Sequence, residues 1–325
     1  MQPISHTPRS TPQSSASVAS GSNPFRILAL DGGGAKGFYT LGILKEMEAL
    51  VECPLYEKFP LIFGTSTGAI IAALLALGRN VDETHALYRE HVPAIMRRTS
   101  RSEKTQALIR VADSVFKDLD FSAFKTDIGI VATQWNFERP MIFKTNIRQA
   151  HGRHATFKPG FGCKIADAVR ASCSAFPFFD RCRLSIREGQ VVELADGGYC
   201  ANNPTLYALA DAVKALKASP GDLRLISLGV GTYPEPKYWV LKRWVRKSPS
   251  VRLLQKTLNI NTTSMDELRQ VLFREVPTIR ISDTFSTPEM ATDLMEHNLA
   301  KLDILYQRGR ESFAHQEPVV REFLI

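Results

Sequence analysis

The stretch FPLIFGTSTGAIIAALLALG, residues 59 to 78, places Ser66 between Gly64 and Gly68 directly after a short apolar run. The letters LIF indicate a strand, GTSTG a turn, and AIIAALLALG a buried helix that ends at Gly78. The turn fits the G-x-S-x-G pattern of a nucleophile elbow, in which a sharp strand-to-helix turn exposes the serine hydroxyl and glycines prevent steric clashes. We therefore expect Ser66 to be a nucleophile; a serine that only caps the helix is the alternative.

Another strand, glycine turn and helix precede this stretch. FRILAL (25 to 30) is a short apolar strand candidate, DGGGAKG follows it, and apolar residues then recur at helical spacing in FYTLGILKEMEALV. Two such units in succession predict a parallel sheet, so residues 25 to about 231 are expected to form one α/β domain. Further strands are predicted in DIGIVATQW (127 to 135), PMIFKTNI (140 to 147), QVVELADGG (190 to 198) and LRLISLGVG (223 to 231).

Asp196 stands at the end of one of these strands, with two glycines directly after it. Because the carboxyl ends of parallel strands share one edge of a sheet, we expect Asp196 to meet Ser66 there and to act as its base. A carboxylate with a pKa near 3.9 is a poor acceptor for the proton of an alcohol, so this role requires burial and a short hydrogen bond to Ser66. A surface Asp-Gly turn is the alternative.

A conventional hydrolase triad runs serine, acid and histidine in chain order, with several strands before the serine. Only one strand and helix precede Ser66, and no histidine follows a predicted strand end. We expect surface positions for the histidines that follow Ser66 in the chain, which are His85, His91, His151, His154, His297 and His315. A Ser-His hydrolase that uses His297 or His315 stays open as an alternative.

The first glycine turn, DGGGAKG (31 to 37), places backbone N–H groups at the start of a helix and so predicts an anion site. In acyl transfer such a site is an oxyanion hole, where each donor contributes roughly 3 to 4 kcal/mol. A catalytically silent module that binds an anion there is the alternative. The turn also matches G-x-G-x-x-G, but a dinucleotide site needs an acidic residue at the end of the second strand. FGTSTG stands in that place, which disfavours a nicotinamide oxidoreductase.

Composition narrows the protein class further. The chain has 325 residues, 44% of them hydrophobic, and a formal net charge of +8, which favours acidic partners such as phosphates, anionic membranes or nucleic acid. Five cysteines without a C-x-x-C pair favour free thiols over disulfides or zinc ligands. The longest apolar run is less than half of the roughly 20 residues that a membrane-spanning helix needs. Residues 1 to 24 are expected to be a disordered tail, with a transit peptide as the alternative.

Four blocks, in this order, resemble those of the patatin-like phospholipases: DGGGAKG, GTSTG, ASCSAFPFF and DGG, with ISLGVGT similar to a fifth. The resemblance covers roughly residues 25 to 232. It implies a three-layer α/β fold whose mainly parallel central sheet is flanked by helices, and a serine–aspartate dyad without histidine, formed by Ser66 and Asp196. It also implies no cofactor and no metal. The implied oxyanion hole consists of Gly32, Gly33 and Gly34, and Lys36 stands where the family often has arginine.

LYEKFPLIFGTSTGAIIAALLALG (55 to 78) further resembles bacterial patatin-like effectors of anti-phage defence that cyclic nucleotides activate. This resemblance implies a lipid acyl hydrolase that cleaves membrane glycerophospholipids in the cytoplasm, at the inner face of the membrane. It implies a cyclic dinucleotide activator such as cyclic GMP-AMP. The sequence leaves a homo-oligomer open, and we expect no nucleic-acid partner.

Residues 233 to 325 are expected to be mainly helical and to pack on or extend the catalytic domain. Within them, KYWVLKRWVRKSPSVRLLQK (237 to 256) holds seven basic residues, no acidic residue, and Tyr238, Trp239 and Trp244. Cations near an anionic membrane gain about 1 kcal/mol each, and tryptophan favours the membrane interface. A solvated or interdomain helix is the alternative. The candidate membrane or ligand contacts are Lys242, Arg243, Arg246 and Lys247.

Overall fold

The computed structural model describes residues 24 to 151, 163 to 187, 190 to 235 and 249 to 325. Its strands are β1 (Phe25–Leu30), β2 (Leu61–Thr65), β3 (Asp127–Gln134), β4 (Arg139–Lys144), β5 (Cys182–Arg187), β6 (Gln190–Asp196), β7 (Leu223–Leu228) and β8 (Thr278–Ile281). Its helices are α1 (Gly37–Val51), α2 (Leu55–Lys58), α3 (Thr67–Ala76), α4 (Val81–Met96), α5 (Arg101–Phe116), α6 (Ile165–Ser172), α7 (Gly198–Ala201), α8 (Thr205–Ala210), α9 (Pro249–Leu272) and α10 (Leu299–Leu324).

The strands form one sheet in the order β5-β6-β3-β2-β1-β7-β8, with β4 also paired to β3. Strands β1, β2, β3, β7 and β8 run parallel to one another. Strands β4 and β6 run antiparallel to β3, and β5 runs antiparallel to β6. The sheet is therefore mainly parallel and mixed at one side, which confirms the predicted fold class.

Successive side chains of a strand point to opposite faces of the sheet. Consecutive residues of the central strands are buried, so both faces of the sheet are covered. On β1, Leu28 and Leu30 belong to one apolar core, whereas Ile27 and Ala29 belong to a second core on the other face. Helices α1, α3 to α6 and α10 contribute to the first core, and α7 and α8 to the second. These are the three layers that the resemblance implied.

The C-terminal third adds to both the sheet and the helical layer. Strand β8 pairs in parallel with β7, and the sequence did not predict this four-residue strand. Helix α10 lies so close to α1 that a Cβ atom at Gly42 or at Gly309 would collide with the backbone of the other helix. None of the described helices has the length and apolar character that a membrane-spanning helix requires.

Candidate active site

Ser66 occupies the sharp turn that the G-x-S-x-G pattern predicts. Strand β2 ends at Thr65 and α3 begins at Thr67, so Ser66 alone connects them, with φ 53° and ψ −120°. Positive φ is costly for a residue with a side chain and persists only where the surroundings impose it. A Cβ atom at Gly68 would collide with the carbonyl oxygen of Leu30, so this glycine lets α3 approach β1.

The Ser66 hydroxyl donates a hydrogen bond to Asp196, with 2.7 Å between Oγ and Oδ2. The other carboxylate oxygen of Asp196 accepts the N–H of Gly198 at 2.7 Å. Asp196 is only 2% exposed, and its surroundings hold both oxygens in place. The structure therefore brings the two residues together as the sequence predicted.

The predicted reason for this meeting was wrong, because β6 is antiparallel to its neighbour β3. Strand β2 pairs with β3 as far as Thr65 opposite Val131, and β6 pairs with β3 from Leu194 to Asp196 opposite Ala132. Strand β4 occupies the other edge of β3 at these positions. Strands β2 and β6 therefore share one edge of β3 and run toward each other, which places Ser66 next to Asp196.

Burial changes the acid strength of this carboxyl group. It raises the pKa of Asp196 from its ordinary 3.8 to about 6, while the hydrogen bonds from Ser66 and Gly198 act in the opposite direction. A carboxylate with a higher pKa is a better proton acceptor and is still ionised at neutral pH. The requirement stated from the sequence, burial with a short hydrogen bond, is met.

Ser172 is a further site residue, to which sequence reasoning assigned no role. Its hydroxyl accepts the N–H of Ser66 at 2.8 Å and donates to the carbonyl oxygen of Val131 at 2.5 Å. It thereby fixes the turn at Ser66 to strand β3. The sequence signal that could have identified Ser172 was its position in the block ASCSAFPFF. In the same block, burial and the charge of Asp196 raise the pKa of the Cys173 thiol, which stays neutral beside the serine.

The three glycines of the first turn are not equivalent. The N–H of Gly32 donates to the carbonyl oxygen of Asn202 at 2.9 Å and is not available to a substrate. The N–H groups of Gly33 and Gly34 have no acceptor among the described residues, and both glycines line the cavity that contains Ser66. Gly34 has φ +59°, and a Cβ atom there would collide with the Leu294 carbonyl group, so glycine is required.

Two charged residues, Arg280 and Lys36, lie at this turn and are largely shielded from solvent. Arg280 on β8 forms an ion pair with the buried Asp31 and also donates to the Ser227 hydroxyl at 2.7 Å. Lys36 is 5% exposed, and burial lowers its pKa to about 8 against the opposing charges of Asp293 and Asp31. The sequence left the role of Lys36 open; the structure places it inside the protein beside the turn.

The cavity at Ser66 is apolar. Helices α3, α4 and α5 provide one part of its wall, and α9 and the segment before α10 provide another. Its apolar lining includes Ile70, Ile95, Leu108, Phe179, Leu258 and Met295. Such a lining suits an alkyl chain that is joined to the reacting group at Ser66.

No described histidine contacts Ser66 or lines this cavity. The Nδ1 atom of His297 lies 3.3 Å from the Met295 carbonyl oxygen, and His315 lines a different cavity with Asp283. His85 stacks on a tyrosine ring, His151 contacts Asp211, and His91 lies beside Glu90.

His154 lies outside the described residues, as do Lys242, Arg243, Arg246 and Lys247. Among the described residues no group of His, Cys, Asp or Glu side chains is arranged to hold a metal ion.

Comparison with known proteins yields one family and several relatives. A family model described as "Patatin-like phospholipase" matches residues 28 to 209. The cUMP-AMP-activated phospholipase of Escherichia coli is 63% identical over 303 residues, which cover 93% of this chain and 95% of that protein. The cGAMP-activated phospholipase of Pseudomonas aeruginosa is 28% identical over 64% of this chain and 62% of that protein. The crystal structure of VipD from Legionella pneumophila has a TM-score of 0.49 and 14% identity, covering 94% of this chain and 68% of that one.

Proposed function

This chain belongs to the patatin-like phospholipase family. We propose that Ser66 and Asp196 form the catalytic dyad that hydrolyses its ester substrate. The observation that carries this proposal is the 2.7 Å hydrogen bond from Ser66 to the buried carboxylate of Asp196 at the apolar cavity. The hydroxyl and its proton acceptor are already in contact, which is the arrangement that an activated serine requires.

In the first half of the reaction, Ser66 Oγ attacks the ester carbonyl carbon while Asp196 Oδ2 takes the hydroxyl proton. The carbonyl oxygen becomes an oxyanion, and the free N–H groups of Gly33 and Gly34 are its proposed donors. Gly32, the third residue of the expected oxyanion hole, contributes by shaping the turn rather than by its N–H. The ester C–O bond then breaks, and Asp196 returns the proton to the departing alkoxide.

In the second half, water attacks the acyl-Ser66 ester. Asp196 removes a proton from that water, and the same two glycine N–H groups stabilise the second oxyanion. The bond to Ser66 Oγ breaks, the serine regains its proton from Asp196, and a free fatty acid leaves. The side chains present are sufficient for each proton transfer.

The proposed substrates are membrane glycerophospholipids. The apolar cavity accepts an acyl chain, and a net charge of +8 favours an anionic surface. We place the enzyme in the cytoplasm, at the inner face of the membrane, with the basic stretch 237 to 256 as its candidate contact. Residues 25 to 232 would form the catalytic domain and 233 to 325 a region packed on it, with α10 against α1.

We further propose that a cyclic dinucleotide activates the enzyme, in anti-phage defence and with formation of a homo-oligomer. The 63% identical relative is named for activation by cUMP-AMP, whereas the relative named for cGAMP is 28% identical. We therefore propose cUMP-AMP as the activator in place of the cyclic GMP-AMP that the sequence suggested. A ligand that prefers the active conformation raises its population.

The test is fatty-acid release from phospholipid vesicles with cUMP-AMP, with cyclic GMP-AMP and without nucleotide, while light scattering follows the oligomeric state. We expect release by the wild type with cUMP-AMP and none by Ser66→Ala. Equal release in all three conditions would overturn the activation proposal and leave the hydrolase intact. Nucleotide binding without any lipid hydrolysis would instead favour a catalytically silent binding module.

A further inference from the structure

Asn202, in the segment after Asp196, holds the first glycine turn in two directions. Its carbonyl oxygen accepts the N–H of Gly32 at 2.9 Å, and its side-chain Nδ2 donates to the Gly32 carbonyl oxygen at 3.1 Å. Asn202 is 5% exposed, so water does not compete for these hydrogen bonds. The position of Gly32, and with it that of Gly33 and Gly34, is tied to Asn202.

Helix α9 holds Asn202 in turn. The N–H of Asn202 donates to Asn261 Oδ1 at 2.7 Å, and Asn261 Nδ2 donates to the carbonyl oxygen of Cys200 at 3.1 Å. Asn202 Nδ2 also donates to Thr262 Oγ1 at 2.7 Å. The Thr262 hydroxyl itself donates to the Leu258 carbonyl oxygen at 3.0 Å, so its oxygen is free to accept. Two neighbouring residues of α9 therefore fix both the backbone and the side chain of Asn202.

These contacts join α9 to both halves of the active site. Only the short helix α7 separates Asn202 from Asp196 in the chain. Asn202 is also hydrogen-bonded to the turn that contains the oxyanion donors. Leu258, one turn before Thr262, lines the cavity at Ser66. No contact of Asn261 or Thr262 reaches Ser66 itself. The hydrogen bonds from α9 reach Asn202 and Cys200 and not Ser66 or Asp196, so we expect a shift of α9 to displace the turn more than the hydrogen bond between Ser66 and Asp196.

We propose that Asn261 and Thr262 are positioning residues that set the oxyanion turn relative to Ser66, so that the placement of α9 controls the rate of the chemical step. This inference rests on the proposed function, in which Gly33 and Gly34 stabilise the oxyanion. The basic stretch, residues 237 to 256, overlaps the start of α9, which begins at Pro249. The helix that holds the turn therefore continues directly from the chain segment with the strongest positive charge.

The test compares kcat and KM of matched variants on a soluble short-chain nitrophenyl ester, with cUMP-AMP present. Thr262→Val removes the hydroxyl and keeps the shape, Thr262→Ser keeps the hydroxyl, and Thr263→Val is the control on the exposed side of α9. Because a misplaced oxyanion turn mainly weakens the transition state, kcat should fall about tenfold in Thr262→Val, with KM within about twofold of wild type. Thr262→Ser and Thr263→Val should keep wild-type kcat.

Asn261→Ala removes two hydrogen bonds and should lower kcat by about 100-fold, whereas Asn259→Ala, on the exposed side of the same helix, should not. The apparent pKa of the rate profile should stay where wild type has it, because Asp196 is unchanged. Wild-type kcat in Thr262→Val, or a loss that appears in KM alone, would overturn the proposal. If Asn261→Ala fails to fold, the Thr262 pair decides. A Ser66→Ala variant as active as wild type would overturn the proposed function instead.

Discussion

Ser66 and Asp196 meet on one edge of β3, where Thr65, the residue before Ser66, lies opposite Val131 and Asp196 lies opposite Ala132. Ser66 directly follows the parallel strand β2, and Asp196 is the last residue of the antiparallel strand β6. The sheet itself therefore sets the 2.7 Å contact between hydroxyl and carboxylate. In this geometry the carboxylate occupies the place beside the serine that a triad gives to histidine.

Activity should depend on the ionisation of Asp196. Since burial raises its pKa to about 6, kcat/KM should fall about tenfold per pH unit below pH 6 and level off above pH 7. The measurement is a pH profile of ester hydrolysis. The double variant His297→Ala/His315→Ala is the control, because a histidine base would titrate in nearly the same range. Loss of the inflection in that variant would contradict the assignment of the base.

The ionised carboxylate of Asp196 should also lower the free energy of unfolding at pH values above its pKa. A raised folded-state pKa means that the group contributes stability below about pH 4, which is lost as pH rises through about 6. The ionised, buried carboxylate therefore costs on the order of 3 kcal/mol at pH 8. We expect Asp196→Asn to melt several degrees higher than wild type at pH 8, to keep about half of this advantage near pH 5 and to lose it toward pH 4. A gain that is the same at pH 8 and pH 4 would contradict the burial argument.

The basic stretch should act at the membrane and not in the chemistry. Replacing Lys242, Arg243, Arg246 and Lys247 with glutamine removes four positive charges, each worth about 1 kcal/mol near an anionic surface. Binding to anionic vesicles in a flotation assay should fall at least tenfold, while hydrolysis of a soluble ester stays near wild type. An equal loss of both would indicate a structural role, and no loss of either would indicate a solvated segment.

Short-range signals were sufficient for much of the fold and for the position of Ser66 in its turn. The elbow at Ser66 could be predicted because its glycines, its preceding apolar strand and its buried helix lie within 20 residues. The turn before α1 was predicted on the same basis. The strand followed by two glycines predicted that the chain turns directly after Asp196, but this signal also fitted a surface Asp-Gly turn.

Features that depend on long-range pairing could not be predicted. Strand β6 pairs antiparallel with the part of the β3 edge that lies beyond β2, and the sequence of β6 contains no sign of this direction. Strand β8 has only four residues, too few for a clear alternation. The N–H of Gly32 looked equivalent to those of Gly33 and Gly34 until Asn202, 170 positions away, was placed against it.

The most direct test of the Ser66 and Asp196 pair is fatty-acid release from phospholipid vesicles by single variants in the presence of cUMP-AMP. Ser66→Ala and Asp196→Ala should each lose at least about 10⁴-fold in rate, because nucleophile and base act as one unit. Both should keep the circular dichroism spectrum of the wild type, and His297→Ala and His315→Ala should keep its rate. A histidine variant as inactive as Ser66→Ala, or an Asp196→Ala variant as active as wild type, would contradict the pair.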